Sequence, residues 1–234
     1  MKKIKWILLT TFWIGMASTV FSAEALGKFK FNEIQKQNKY YSVFQEWAAQ
    51  DEMRSPGGDA VLCLGSSSMR KWAGIHEDLA PLNVIHRGFG GSTIAQVREW
   101  ENFFIRYKAG TIVIYEGDND LVSPSSSPKK FSLKCGLFCD ALLQANPQAE
   151  IYFVSIKPSA ARMAAWPRMS RGNQLLKQYA TDTPQIHFIE ASSPMLDDQG
   201  QARTDILLDD NLHMNQDGYK IWTAAVRKAL DLKK

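Results

Sequence analysis

Cysteine is scarce, with only Cys63, Cys135 and Cys139 in 234 residues. Three cysteines cannot supply the disulfide framework that replaces a core in small secreted domains. Cys135 and Cys139 lie four apart in a stretch of helical periodicity. Side chains at that spacing sit about 5–6 Å apart, whereas a disulfide brings its Cβ atoms to about 3.8 Å. The pair also lacks the nearby histidines of a metal site, so all three are expected as free, mostly buried thiols. Excess charge is small as well. The 28 Lys and Arg against 24 Asp and Glu leave +4, too little to argue for a nucleic-acid partner. The glycine-rich GFGGST at 88–93 lacks the third glycine of a dinucleotide fingerprint. There are no internal repeats. A composition 45% hydrophobic and 22% charged excludes collagen, a coiled coil and a disordered chain.

Long apolar runs are confined to the start. Lys2, Lys3 and Lys5 precede an uncharged, mostly apolar stretch from Ile7 to Phe21. At about 15 residues it is shorter than the roughly 20 needed to span a bilayer, and the layout is that of a secretory signal peptide. Ala23-Glu24-Ala25 offers the small residues a signal peptidase reads, and Val20 with Ser22 offers a competing site. The expectation is a signal peptide over 1–25 and one domain over 26–234, periplasmic or secreted, with no membrane span after cleavage. Loss of three lysines and Glu24 would lower the formal charge from +4 to +2.

The rest alternates helix and strand. Ile34, Asn38, Tyr41, Phe44 and Ala48 share a helical face. Short apolar runs at 60–64, 83–86, 111–115, 151–156 and 186–189 read as five strands. Between them, Thr93 and Gln96 have the spacing of a capping box ahead of Ile94, Val97, Trp100 (or Glu101) and Phe104. Phe131, Cys135, Phe138, Leu142 and Ala145 mark a helix that Pro147 stops, and 169–180 reads as another. Asn215 is placed to cap a last helix with Tyr219, Trp222, Val226 and Leu230 on its inner face. Apolar strands alternating with amphipathic helices predict an α/β fold. The expected form is a flavodoxin-like three-layer α/β/α sandwich around a five-stranded parallel sheet.

In such a sheet ligands bind beyond the carboxyl ends of the strands. The segments that follow are Gly65-Ser66-Ser67-Ser68, Arg87-Gly88-Phe89-Gly90-Gly91-Ser92, Glu116-Gly117-Asp118-Asn119-Asp120, Lys157-Pro158-Ser159, and a longer stretch holding Asp209-Asp210-Asn211-Leu212-His213. Taken singly, Ser67, Asn119 and His213 would each pass as a turn or capping residue. Taken together they hold what acyl transfer requires: a hydroxyl, a histidine base with a carboxylate three residues before it, and donors for a developing oxyanion. Asp209 is a rival orienter, four residues from His213. His76, His86 and His187 have no such company and read as structural or surface residues.

GSSSMRKW, RGFGGST, GDND and DNLH resemble, in order and loop placement, the four sequence blocks of the SGNH (GDSL-type) hydrolases. The resemblance runs from about Gly58 to Tyr219. It implies a metal-free, cofactor-free hydrolase of esters or thioesters. By motif, the nucleophile falls on Ser67, the oxyanion donors on Ser67, Gly91 and Asn119, and the remaining catalytic pair on Asp210 and His213. Here Gly65-Ser66-Ser67 stands where the family has Gly-Asp-Ser. An acyltransferase would use the same residues, and a binding module that kept the fold is the non-enzymatic alternative. The substrate class expected is a small-molecule, glycan or lipid ester, such as an acetylated glycan or a lysophospholipid. Arg162, Trp166 and Arg168 follow the fourth strand as candidate substrate contacts, and Trp72 is expected in the core.

Overall fold

The computed structural model describes residues 26–53, 57 and 59–232. The expected signal peptide over 1–25 lies outside the described residues. Five strands, β1 (Val61–Gly65), β2 (Val84–Gly88), β3 (Thr111–Tyr115), β4 (Glu150–Val154) and β5 (Ile186–Ile189), form one sheet in the order β2-β1-β3-β4-β5. Every pairing is parallel. Such a sheet needs cover on both faces, and side-chain alternation along each strand divides it accordingly. Leu62, Leu64, Ile112, Ile114, Ile151, Phe153 and Ile186 enter one buried cluster. Val61, Cys63, Val113, Tyr115, Val154 and Ile189 enter the other.

The first face is covered by α2 (Tyr41–Met53), α5 (Ile94–Glu99), α6 (Glu101–Ile105), α7 (Pro128–Ala145) and α8 (Trp166–Asp182). Phe44 and Trp100 stack there with ring centroids 3.9 Å apart. The second face is covered by α3 (Ser67–Arg70), α4 (Ile75–Asp78) and α9 (Gln216–Ala229), with Trp72 stacked 5.9 Å from Tyr219. Trp72 is thus a core residue, as expected. Burying a side chain of this kind contributes about 1.5–3 kcal/mol. The two tryptophan-centred packings hold the helices that carry most of the loops described below. Cys63, Cys135 and Cys139 are buried and free.

Two expected helices are interrupted. The face running from Ile34 to Ala48 divides into α1 (Glu33–Gln37) and α2. Asn38 takes an extended conformation (ψ 141°), its side-chain Oδ1 accepts from Tyr40 N, and Ile34 is left 82% exposed. The stretch from Ile94 to Phe104 breaks at Trp100, whose φ of −111° separates α5 from α6. The Thr93–Gln96 capping box forms in full at the start of α5. Asn215 caps α9 by accepting from Asp217 N and Gly218 N.

Candidate active site

Because the sheet is parallel throughout, the carboxyl ends of its strands open on one edge. The first of them turns sharply. Gly65 has φ +154°, and a Cβ there would lie 2.2 Å from the Tyr115 carbonyl oxygen on neighbouring β3, so only glycine fits. The turn leads into α3, whose first residue is Ser67. Ser66 and Ser68 are fully buried on either side of the half-buried Ser67.

Ser67 Oγ lies 2.9 Å from His213 Nε2. His213 Nδ1 lies 2.6 Å from Asp210 Oδ2, while Asp210 Oδ1 accepts the backbone N–H groups of Leu212 and His213 at 3.0 and 2.9 Å. The hydrogen bond from His213 holds the Asp210 carboxyl well below the usual carboxylate range, and the two backbone donors add to it. The histidine's carboxylate partner is thus Asp210, whereas the Asp209 carbonyl accepts from Asn211 Nδ2 at 3.4 Å. The turn is closed by Leu208 N donating to the His213 carbonyl at 2.8 Å. Tyr219 of α9 donates to the Ser68 carbonyl at 2.8 Å, so the helix after the histidine is fastened to the helix after the serine.

The second and third loops are tied to each other. Gly91 is exposed, with φ +73°, in the left-handed region that glycine tolerates. Asn119 Nδ2 donates to the Ser92 carbonyl at 2.8 Å, and Ser92 Oγ donates to buried Glu116 at 2.5 Å. Burial raises the Glu116 carboxyl well above its ordinary value. Asp120 caps the start of α5 by accepting from Ile94 N at 3.0 Å. Its pKa is pushed up to about 7, chiefly by burial. A carboxyl raised in the folded state holds its proton more tightly there than in the unfolded chain. Stability therefore falls as pH rises from about 4 to about 7 and is flat above. Asp120→Asn keeps the acceptor and removes the titration. Denaturant unfolding at pH 5 and pH 8 should show the variant losing less stability between the two than the wild type.

The fourth loop reaches the others. Lys157, buried at the end of β4, donates from Nζ to the Leu212 carbonyl at 2.5 Å, next to His213. Burial lowers its pKa, with Asp118 opposing the shift. Of the three candidate substrate contacts, Arg162 donates to Asn119 Oδ1 at 3.1 Å. Arg168 donates to the Leu121 and Val122 carbonyls at 3.2 and 2.9 Å. Trp166 packs half-buried against the first core cluster. Both arginines thus engage the Asn119 loop. Lys157 and Glu116 stand in the loops named from the sequence, but no local pattern assigns them these contacts. The signal available was a charged residue directly following an apolar strand. Among the described residues, no group of three or more His, Cys, Asp or Glu is placed to hold a metal ion.

An α/β sheet with a serine, a histidine and an aspartate joined across two of its carboxyl-end loops defines a class of hydrolase-like folds. The sequence model of the GDSL-like Lipase/Acylhydrolase family matches residues 57–221, and the chain belongs to that family. No curated protein matches the sequence significantly. Among solved structures, a GDSL-like lipase from Bacteroides thetaiotaomicron is 20% identical with a TM-score of 0.68, covering 80% of this chain and 97% of its own. A carbohydrate esterase family 3 protein from Talaromyces cellulolyticus is 15% identical with a TM-score of 0.61, covering 74% and 96%. A mutant of an acetyl-xylooligosaccharide esterase from Geobacillus Stearmophilus is 15% identical with a TM-score of 0.62, covering 75% and 95%. At these identities the likeness is one of fold.

Proposed function

We propose that the protein is a serine ester hydrolase acting on an ester outside the cytoplasm, an acetylated glycan being the substrate class we favour. The observation that carries the reading is the continuous chain from Ser67 Oγ through His213 to Asp210, with links of 2.9 and 2.6 Å. His213 Nε2 takes the serine proton as Oγ attacks the acyl carbon. Asp210 holds the imidazole by Nδ1–H and stabilises the imidazolium. The Ser67 and Gly91 N–H groups and the Asn119 amide receive the oxyanion. The imidazolium then protonates the leaving alcohol. Water, deprotonated by the same histidine, releases the acid and restores the hydroxyl.

The basic, apolar start of the chain supports export, and the fold-level likeness to two carbohydrate-directed esterases supports a glycan ester. The test is hydrolysis of p-nitrophenyl esters from two to sixteen carbons, alongside acetate release from acetylated xylan and labelling by a fluorophosphonate. Turnover peaking at acetate and rapid labelling support the reading. A peak at long chains moves the substrate to a lipid, and acyl products found on an added sugar acceptor make it a transferase. Absence of both turnover and labelling overturns it in favour of a binding module. Asn119→Ala should lower kcat by about 10²–10³, the typical contribution of one oxyanion donor, with the fold retained by circular dichroism.

A further inference from the structure

We infer that Arg162 is a positioning residue, which fixes the Asn119 side-chain amide with its N–H₂ end toward the oxyanion. The inference rests on the ester-hydrolase reading above. A carboxamide has a donor end and an acceptor end of nearly equal shape, and only the donor end stabilises negative charge. The contacts of Asn119 sort the two ends. Nδ2 donates to the Ser92 carbonyl at 2.8 Å, which leaves its second hydrogen for another acceptor. Oδ1 accepts from Arg162 Nη2 at 3.1 Å. A guanidinium is charged at every working pH and has no acceptor. Turning the amide over would therefore set N–H against N–H at Arg162 and oxygen against oxygen at Ser92.

The guanidinium is itself held. Arg162 Nη1 lies 3.4 Å from Asp118 Oδ2, and Asp118 is buried. This gives a physical account of the acidic residue beside Asn119: it balances the charge that orients the amide. The backbone around Arg162 is fixed by Arg162 N donating to the Ser159 carbonyl at 3.0 Å. Ala161 N donates to the Asn211 carbonyl, also at 3.0 Å. Arg162 departs from the helical angles of its short 3₁₀ segment (φ −127°, ψ 18°), and its side chain meets the Asn119 loop. A cation against Oδ1 also draws electron density through the amide, which makes Nδ2–H a better donor.

The test is a double-mutant cycle. Arg162→Gln and Arg162→Lys are made in the wild type and in Asn119→Ala, with kcat and KM measured on p-nitrophenyl acetate and melting followed by circular dichroism. In the wild-type background Arg162→Gln should lower kcat about tenfold, a fraction of the effect of losing the oxyanion donor itself, with KM within about twofold. Arg162→Lys keeps a donor and the Asp118 pairing and should recover part of that loss. In Asn119→Ala the same changes should alter kcat by less than about twofold, because two residues acting as one unit are not additive. Equal losses in both backgrounds, or a rise in KM with kcat unchanged, overturn the assignment and make Arg162 a substrate contact. A wild type that neither turns over esters nor takes the fluorophosphonate overturns the hydrolase reading itself, and the role of Arg162 with it.

Discussion

Ser67→Ala should lower kcat on a short ester by about 10⁶, the scale seen when a serine nucleophile is removed from such a triad, and should abolish fluorophosphonate labelling. The size follows from the order of events. Without Oγ there is no acyl-enzyme, and the remaining groups can only polarise a bound ester toward water. Rate above the uncatalysed background should survive at about 10³–10⁴-fold. The fold should be indifferent. Ser67 is half-buried and its Oγ bonds to His213, while the hydrogen bonds of α3 run through its backbone. Unchanged melting with lost turnover would place the effect in chemistry. Retained turnover would transfer the nucleophile elsewhere, and buried Ser66 and Ser68 offer no accessible substitute.

Asp210→Asn should lower kcat by about 10⁴ with little loss of stability. Asparagine can still accept the Leu212 and His213 N–H groups through Oδ1, so the turn survives. Toward the ring it now offers a donor. His213 Nδ1 must then accept, which puts the proton on Nε2, facing Ser67 across 2.9 Å. A protonated Nε2 cannot take the serine proton. The same substitution removes a carboxylate whose pKa is depressed in the folded state. Such a group contributes stability above its unfolded pKa and loses it as pH falls toward the folded value. Because the carboxylate is half exposed, that contribution is small, and the wild-type advantage over Asp210→Asn should shrink in acid. Equal turnover by the variant would remove Asp210 from the triad.

How much of this was legible in the sequence depended on the range of the interaction. β3 and β5 form over the spans their β-branched and apolar residues mark, 111–115 and 186–189. The caps at Thr93 and Asn215 are contacts across two or three residues, and both form. The positions of Ser67, Asp210 and His213 could be set side by side only through fold and family resemblance, because 146 residues separate the serine from the histidine. The break at Asn38 was illegible because an asparagine in a helical run does not declare whether its side chain will take the backbone N–H two residues on. Arg162 is expected near a substrate, but its contact with Asn119, 43 residues away, has no local signal. Lys157 carried no expected role, yet it meets the Leu212 carbonyl 55 residues on. Contacts of this kind leave no periodicity and no cap signature, so nothing local announces them.

The order of the loops along the chain has one more consequence. Ser67 arrives with the first strand, whereas Asp210 and His213 arrive after the fifth, ahead of α9. Tyr219, which ties α9 to the Ser68 carbonyl, comes later still. During synthesis Ser67 therefore lacks its histidine partner until all five described strands have been made. A chain clipped ahead of Asp210 would keep all five described strands and lose both partners of Ser67, so that on the proposed reading turnover doubles as a readout of the segment beyond β5.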